Sequence, residues 1–256
     1  MKHCVTLSAV LALVLSASLA LAHFGMVIPE SSVVTQDDKT LTLDLSFSHP
    51  FEGVGMELVK PEKFDVYHGG EATSLLGDLK AKQVMDHGGW TADYAVKRPG
   101  VYQFVMQPVP YWEPAEDVSI IHITKTVVAA FGDEDGWGEP LGLKSEIVPL
   151  SRPFAAYAGF SFTGRVLMDG KPVPGAEVEV EYYNKDGRFK AASDLHVTYV
   201  VKADEDGVFT FACPLPGWWG FAALNDAGYT IKDPDGNDKG VELGAVLWIE
   251  MSPWMQ

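Results

Sequence analysis

Seven histidines are spread along this chain, and four of them stand where they could ligate a metal: His23, His49, His87 and His122. Neutral imidazole suits zinc, copper, nickel and related divalent ions. His23 directly follows Ala20-Leu21-Ala22, the small-residue pattern at which a secretory leader is cut. A cut after Ala22 would make His23 the first residue. Its α-amine, with an ordinary pKa of about 8, and its imidazole would then chelate one ion together. His49 stands in Ser48-His49-Pro50, His87 in Asp86-His87-Gly88-Gly89, and His122 inside an apolar run. These four are too far apart in sequence for any local motif, so the fold has to gather them.

The elements that must do so are strands. Helical periodicity is nearly absent. Short alternating runs of Val, Thr, Tyr and Phe are separated by Gly, Pro and Asp clusters, which predicts an all-β protein. Seven runs, at 26–34, 39–47, 63–68, 73–79, 90–96, 100–107 and 118–130, fit one immunoglobulin-like β-sandwich over residues 23–130. Residues 131–156, rich in Gly, Pro and acid, read as a linker. Runs at 158–168, 176–184, 196–203, 207–213, 217–225 and 243–251 predict a second sandwich over 157–256, and Asp206-Gly207 marks a hairpin. The fold class is therefore two tandem β-sandwiches.

If successive strands reverse direction, the loops 48–55, 80–89 and 108–117 share the end at which the mature chain begins. His23, His49 and His87 then converge, and His122 lies a few residues down the last strand from them. His68 goes to the opposite end, and His68 and His196 read as ordinary structural histidines. Glu113, Glu116 and Asp117 are expected to orient an imidazole from the third loop. Met26, Met56, Tyr111 and Trp112 read as packing residues, and Cys213 as a buried, inert thiol.

Residues 1–22 have a basic start at Lys2, an apolar stretch and a cleavage site, which predicts export to the periplasm. The stretch is short for a membrane span, and no later segment approaches that length. With 35 acidic against 19 basic side chains and a net charge of −16 over 256 residues, nucleic acid is excluded as a partner. Loss of Cys4 with the leader leaves Cys213 alone, so no intramolecular disulfide forms. No nucleophile elbow, phosphate loop or HExxH helix is present. The acidic turns at 133–135, 204–206 and 233–238 read as hairpin turns rather than calcium loops.

The second half, with GRVLMDGKPVPGAEVEVEYYN at 164–184 and VKADEDGVFTFACPLPGWWGFAA at 201–223, resembles transthyretin-like and carboxypeptidase-regulatory-like sandwiches. The whole chain resembles a family of exported proteins linked to bacterial nickel and cobalt uptake. That likeness is carried by Ala22-His23-Phe24, Ser48-His49-Pro50-Phe51, PYWEPAED at 110–117 and GLKSEIVPL at 142–150. The resemblance implies a non-enzymatic periplasmic auxiliary component of an energy-coupling-factor type transporter. It would take up a divalent ion, Ni²⁺ or Co²⁺ ahead of Cu²⁺ or Zn²⁺, and pass it to the transporter's membrane components. Two other readings stay open: a copper-dependent oxygenase with an amino-terminal histidine chelate, and an adhesin or carbohydrate-binding sandwich.

Overall fold

The structure, a computed structural model, describes residues 23–255; the leader read over 1–22 lies outside the described residues. The first half contributes β1 (Phe24–Pro29), β2 (Val33–Val34), β3 (Thr40–His49), β4 (Val54–Met56), β5 (Lys63–His68), β6 (Glu71–Ser74), β7 (Lys80–Val84), β8 (His87–Ala95), β9 (Gly100–Gln107), β10 (Tyr111–Glu113) and β11 (Val118–Ala130). The second half contributes β12 (Ser145–Pro149), β13 (Ala156–Tyr157), β14 (Ser161–Met168), β15 (Lys171–Pro172), β16 (Glu177–Tyr182), β17 (Tyr199–Lys202), β18 (Val208–Ala212), β19 (Gly217–Lys232) and β20 (Asp238–Ser252). The fold is all-β, and no helix among the described residues is long and apolar enough to cross a membrane.

Three sheets result. A central one of 11 strands runs β17-β16-β19-β20-β11-β9-β5-β6, with β2, β10 and β13 attached. A smaller sheet, β1-β3-β8-β7 with β4 on β3, covers one of its faces; a third, β12-β14-β15 with β18 on β14, covers the other. The two halves join where β11 and β20 pair in parallel, from Ser119 opposite Val241 to Thr126 opposite Trp248. The two sandwiches therefore share one sheet and bury opposite faces of it.

Side-chain alternation shows how one sheet serves both. On β20, Ala245, Leu247 and Ile249 enter the core with Phe162, Val166 and Phe209 of the third sheet. Val246 and Trp248, one residue out of phase, pack on Phe24 and Met26 of β1. The first sandwich closes where Leu43, Leu45 and Phe47 of β3 meet Phe64, Phe104 and Ile120 of the central sheet. Strands buried on both faces are near-continuously apolar, as GAVLWIEM of β20 and VSIIHITKTVVAA of β11 are.

Three expected features differ. The run 73–79 yields only the exposed strand β6, and the expected loop 80–89 is the β7–β8 hairpin, with Val84 opposite His87. Its turn, Met85-Asp86, holds both residues at positive φ, 50° and 62°, the conformation a two-residue hairpin turn demands without the glycine that usually signals it. The stretch 131–156 also carries β12. There Glu146 forms a buried ion pair with Lys125 of β11, Nζ to Oε1 at 2.6 Å.

Candidate functional site

β1 sets the site. It runs antiparallel to β3 with Phe24 opposite Ser48, and the same register carries His23 opposite His49, where cross-strand side chains share a face. The two imidazole centroids lie 4.7 Å apart. Close packing fixes β1 against the central sheet. Trp248 Nε1 donates to the Gly25 carbonyl at 2.8 Å. A Cβ on Gly25 would stand 2.2 Å from Thr124 Oγ1, so only glycine permits this approach.

The β10–β11 hairpin adds an acid and a wall. Glu113 Oε2 lies 3.4 Å from His23 Nε2, with the two side chains 13% and 11% exposed, and Glu113 Oε1 accepts the Ala115 N–H. Phe47 stacks on His23 at 5.5 Å and meets His122 edge-on at 5.7 Å. His122 is fully enclosed. Glycine makes room here too, since a Cβ on Gly244 would fall 2.3 Å from His122 Cδ2. Its Nε2 donates to Glu242 Oε1 at 3.1 Å, while its Nδ1 is buried without a partner.

Burial, reinforced by the nearby His49 and His122 and partly offset by Glu113 and Glu242, lowers the His23 pKa to about 4. At neutral pH the ring is thus uncharged, the form that ligates metal. The acids nearby shift the other way. Burial, with Glu242 and Glu113 alongside, raises Glu116. Burial, with Glu242, Glu116 and Glu177 alongside, raises Glu179 to about 7.

His23 and His49 thus meet, and His122 joins them through Phe47. His87 does not. It is exposed, its Nδ1 donates to the Met85 carbonyl at 3.0 Å, and it sits against Gly55 of β4. Gly55 itself pairs with Ser48, so β4 stands between His87 and the His23–His49 pair. Among the described residues, no group of three His, Cys, Asp or Glu side chains is arranged to hold one metal ion.

The remaining expectations can be located as well. Of the acids expected near an imidazole, Glu113 lies 3.4 Å from His23, whereas Asp117 pairs with Lys239. His68 stacks on Tyr102 at 4.1 Å, and His196 pairs with Ser193. Cys213 is free and buried, and burial pushes its thiol well up. Asp233 and Asp204 spend their carboxylates on backbone N–H groups of their own turns. Glu242 was missed. A lone acid between Val241 and Leu243 in the last apolar run was the available signal. Glu179 carried none, because its alternation reads as a solvent face.

A family described as "Domain of unknown function (DUF4198)" matches residues 20–227. The chain belongs to the DUF4198 family. No curated protein matches it. Among solved structures, this DUF4198 chain is similar to the fibronectin(III)-like modules of Clostridium thermocellum CbhA, at 12% identity and a TM-score of 0.24, over 89% of this chain and 95% of that one. It is also similar to E. coli alpha-2-macroglobulin, at 7% identity and a TM-score of 0.25, over 90% of this chain and 14% of that one. The titin Ig tandem domains A164-A165 match at 11% identity and a TM-score of 0.21, over 91% of this chain and 100% of that one. The β-sandwich assignment rests on the strand pairing itself.

Proposed function

We propose that this DUF4198 protein is an exported carrier that captures a divalent transition-metal ion at its mature amino terminus. The observation that carries the reading is the pair His23 and His49, 4.7 Å apart, with the Glu113 carboxylate against His23. Two imidazoles, an α-amine and a carboxylate form a donor set that nickel, cobalt, copper or zinc accepts. His23 would bind through its amine and ring, His49 would complete the set, and Glu113 would orient the His23 ring or ligate directly. His122 lies across Phe47 from His23, its ring edge-on to Phe47 at 5.7 Å. Support for Ni²⁺ or Co²⁺ as cargo, periplasmic location and delivery to a membrane importer comes from the resemblance of Ala22-His23-Phe24 and Ser48-His49-Pro50-Phe51 to nickel and cobalt uptake proteins.

Calorimetric titration of the chain beginning at His23 with Ni²⁺, Co²⁺, Cu²⁺ and Zn²⁺ tests the proposal. Binding is expected at one site and to be lost or sharply weakened when one residue is added before His23. Undiminished affinity in that extended chain would sink the terminal chelate. Hydrogen peroxide formation by the copper-loaded chain with a reductant would instead favour the oxygenase reading.

A further inference from the structure

β3 ends at His49, and β4 begins at Val54, its partner across the turn 50–53. Within the turn the Gly53 N–H donates to the His49 carbonyl at 3.0 Å. Three further backbone groups are met from the second sandwich. The Asn184 N–H donates to the Pro50 carbonyl at 3.2 Å, and Asn184 Nδ2 to the Phe51 carbonyl at 3.1 Å. The Phe51 N–H donates to Glu181 Oε2 at 3.3 Å, and the Phe51 ring packs on the second core. Both anchors are themselves held. Glu181, 1% exposed, accepts the Thr198 hydroxyl on its other oxygen, and Asn184 Oδ1 accepts the Phe189 N–H at 3.2 Å. The neighbour of His23 is seated in the same place. Gly220, opposite Glu181, makes room for Phe24, since a Cβ there would stand 3.0 Å from the Phe24 ring. A buried carboxyl costs more than an apolar side chain of its size, so packing alone does not account for Glu181. What it adds is direction: a fixed hydrogen bond to the residue two places after His49.

We infer that Glu181 and Asn184 are positioning residues for the histidine pair: by gripping the turn after His49 they hold that ring opposite His23. The second sandwich then sets the affinity of a metal site to which it gives no ligand. This role takes its functional consequence from the carrier reading above, and its geometry from the 4.7 Å contact of the two rings. A binding constellation works only when its groups are held within about 0.5 Å of the productive geometry. Loss of the groups that orient a ligand costs about tenfold to a hundredfold in metal affinity.

The chain beginning at His23 tests this through two measurements: Ni²⁺ affinity by calorimetry and, with no metal present, the NMR contact between the His23 and His49 rings. Glu181→Ala and Asn184→Ala are each expected to weaken Ni²⁺ binding about tenfold and to diminish the ring contact. Glu181→Gln, which still accepts the Phe51 N–H, is expected to restore both. Ile147→Ala truncates the second core without touching the turn. It is expected to lower the unfolding midpoint while leaving affinity and ring contact at parental values. A ring contact that persists in both alanine variants overturns the positioning role, as does weakening of Ni²⁺ binding by Ile147→Ala to the same degree. If the parent chain binds no Ni²⁺, the carrier reading fails by itself. The metal-free ring contact then decides the positioning role: its loss in the alanine variants upholds it, and its persistence overturns it.

Discussion

Two polar pairs cross the β11 strand, one on each face, and they are built differently. On one face Lys125 donates to Glu146 at 2.6 Å, both side chains almost wholly buried. Glu146 also accepts the backbone N–H groups of Leu141, Gly142 and Leu143. On the other face His122 meets Glu242 at 3.1 Å, but Glu242 remains 22% exposed and His122 Nδ1 has no partner. A buried polar network with its bonding capacity filled fastens a segment in one arrangement, whereas a half-filled one leaves a group able to bond something else. The first pair pins the 141–146 segment over the central sheet. The second leaves His122 Nδ1 unfilled, with Glu116 and Glu242 close enough to feel each other's charge.

The comparison breaks first at Glu146. Glu146→Ala strands an ammonium and three N–H groups, and is expected to cost about 3–5 kcal/mol in urea unfolding. Lys125→Met should cost less, because Glu146 keeps its three backbone donors. A Glu146→Ala loss below about 1 kcal/mol would show that the pair is not the fastening described. On the other face, Gly244→Ala drives a methyl to 2.3 Å from the His122 ring and is expected to cost about 1–3 kcal/mol. Gly240→Ala, with open space around it on the same strand, should stay within about 0.5 kcal/mol. Equal effects at 244 and 240 would remove the steric cradle.

At the histidine pair the expected effects move from stability to binding. Glu113→Gln should weaken metal binding about tenfold, as loss of an orienting acid does, with the unfolding midpoint nearly unchanged. Unaltered affinity in calorimetry would reduce Glu113 to a bystander.

How far the sequence spoke depended on what each signal measures. Alternation and turn residues report local geometry, so both sandwiches and most strands were readable. The meeting of His23 and His49 was readable because a hairpin-like return of β3 beside β1 needs only the strand order. His87 departed because Met85-Asp86 makes a tight turn without glycine, turning an expected loop into strand and leaving β4 in between. The sharing of one sheet was not readable. β11 pairs with β20 across more than a hundred residues, and both-face burial looks the same whether the neighbour belongs to the same sandwich or the other. Glu242 reaches His122 only through that pairing, so nothing local could have placed it there.

The smallest expected effect separates two titrating regions by the sign of their pH dependence. Glu181 on β16 is buried, accepts the Thr198 hydroxyl and the Phe51 N–H, and burial pushes its pKa up to about 8. Its pKa is therefore raised on folding. The stability it lends is complete below the ordinary carboxylate range and is lost as pH climbs through about 8. His23 runs oppositely: with its pKa lowered from 6.5 to about 4, its share is complete above 6.5 and disappears as pH falls through 4. Between pH 6.5 and 8 the His23 imidazole is silent, and the buried carboxyls Glu181 and Glu179 are expected to lower the urea midpoint as pH rises. Glu181→Gln, which keeps the shape and removes the titration, should reduce that decline. Adding Glu179→Gln should nearly flatten it, because Glu179 titrates at about 7 in the same window. A decline that is as steep in the double variant as in the parent would mean that these two acids are charged in the folded chain, and that the Glu181 clamp on the loop after His49 is an ordinary hydrogen bond to a carboxylate.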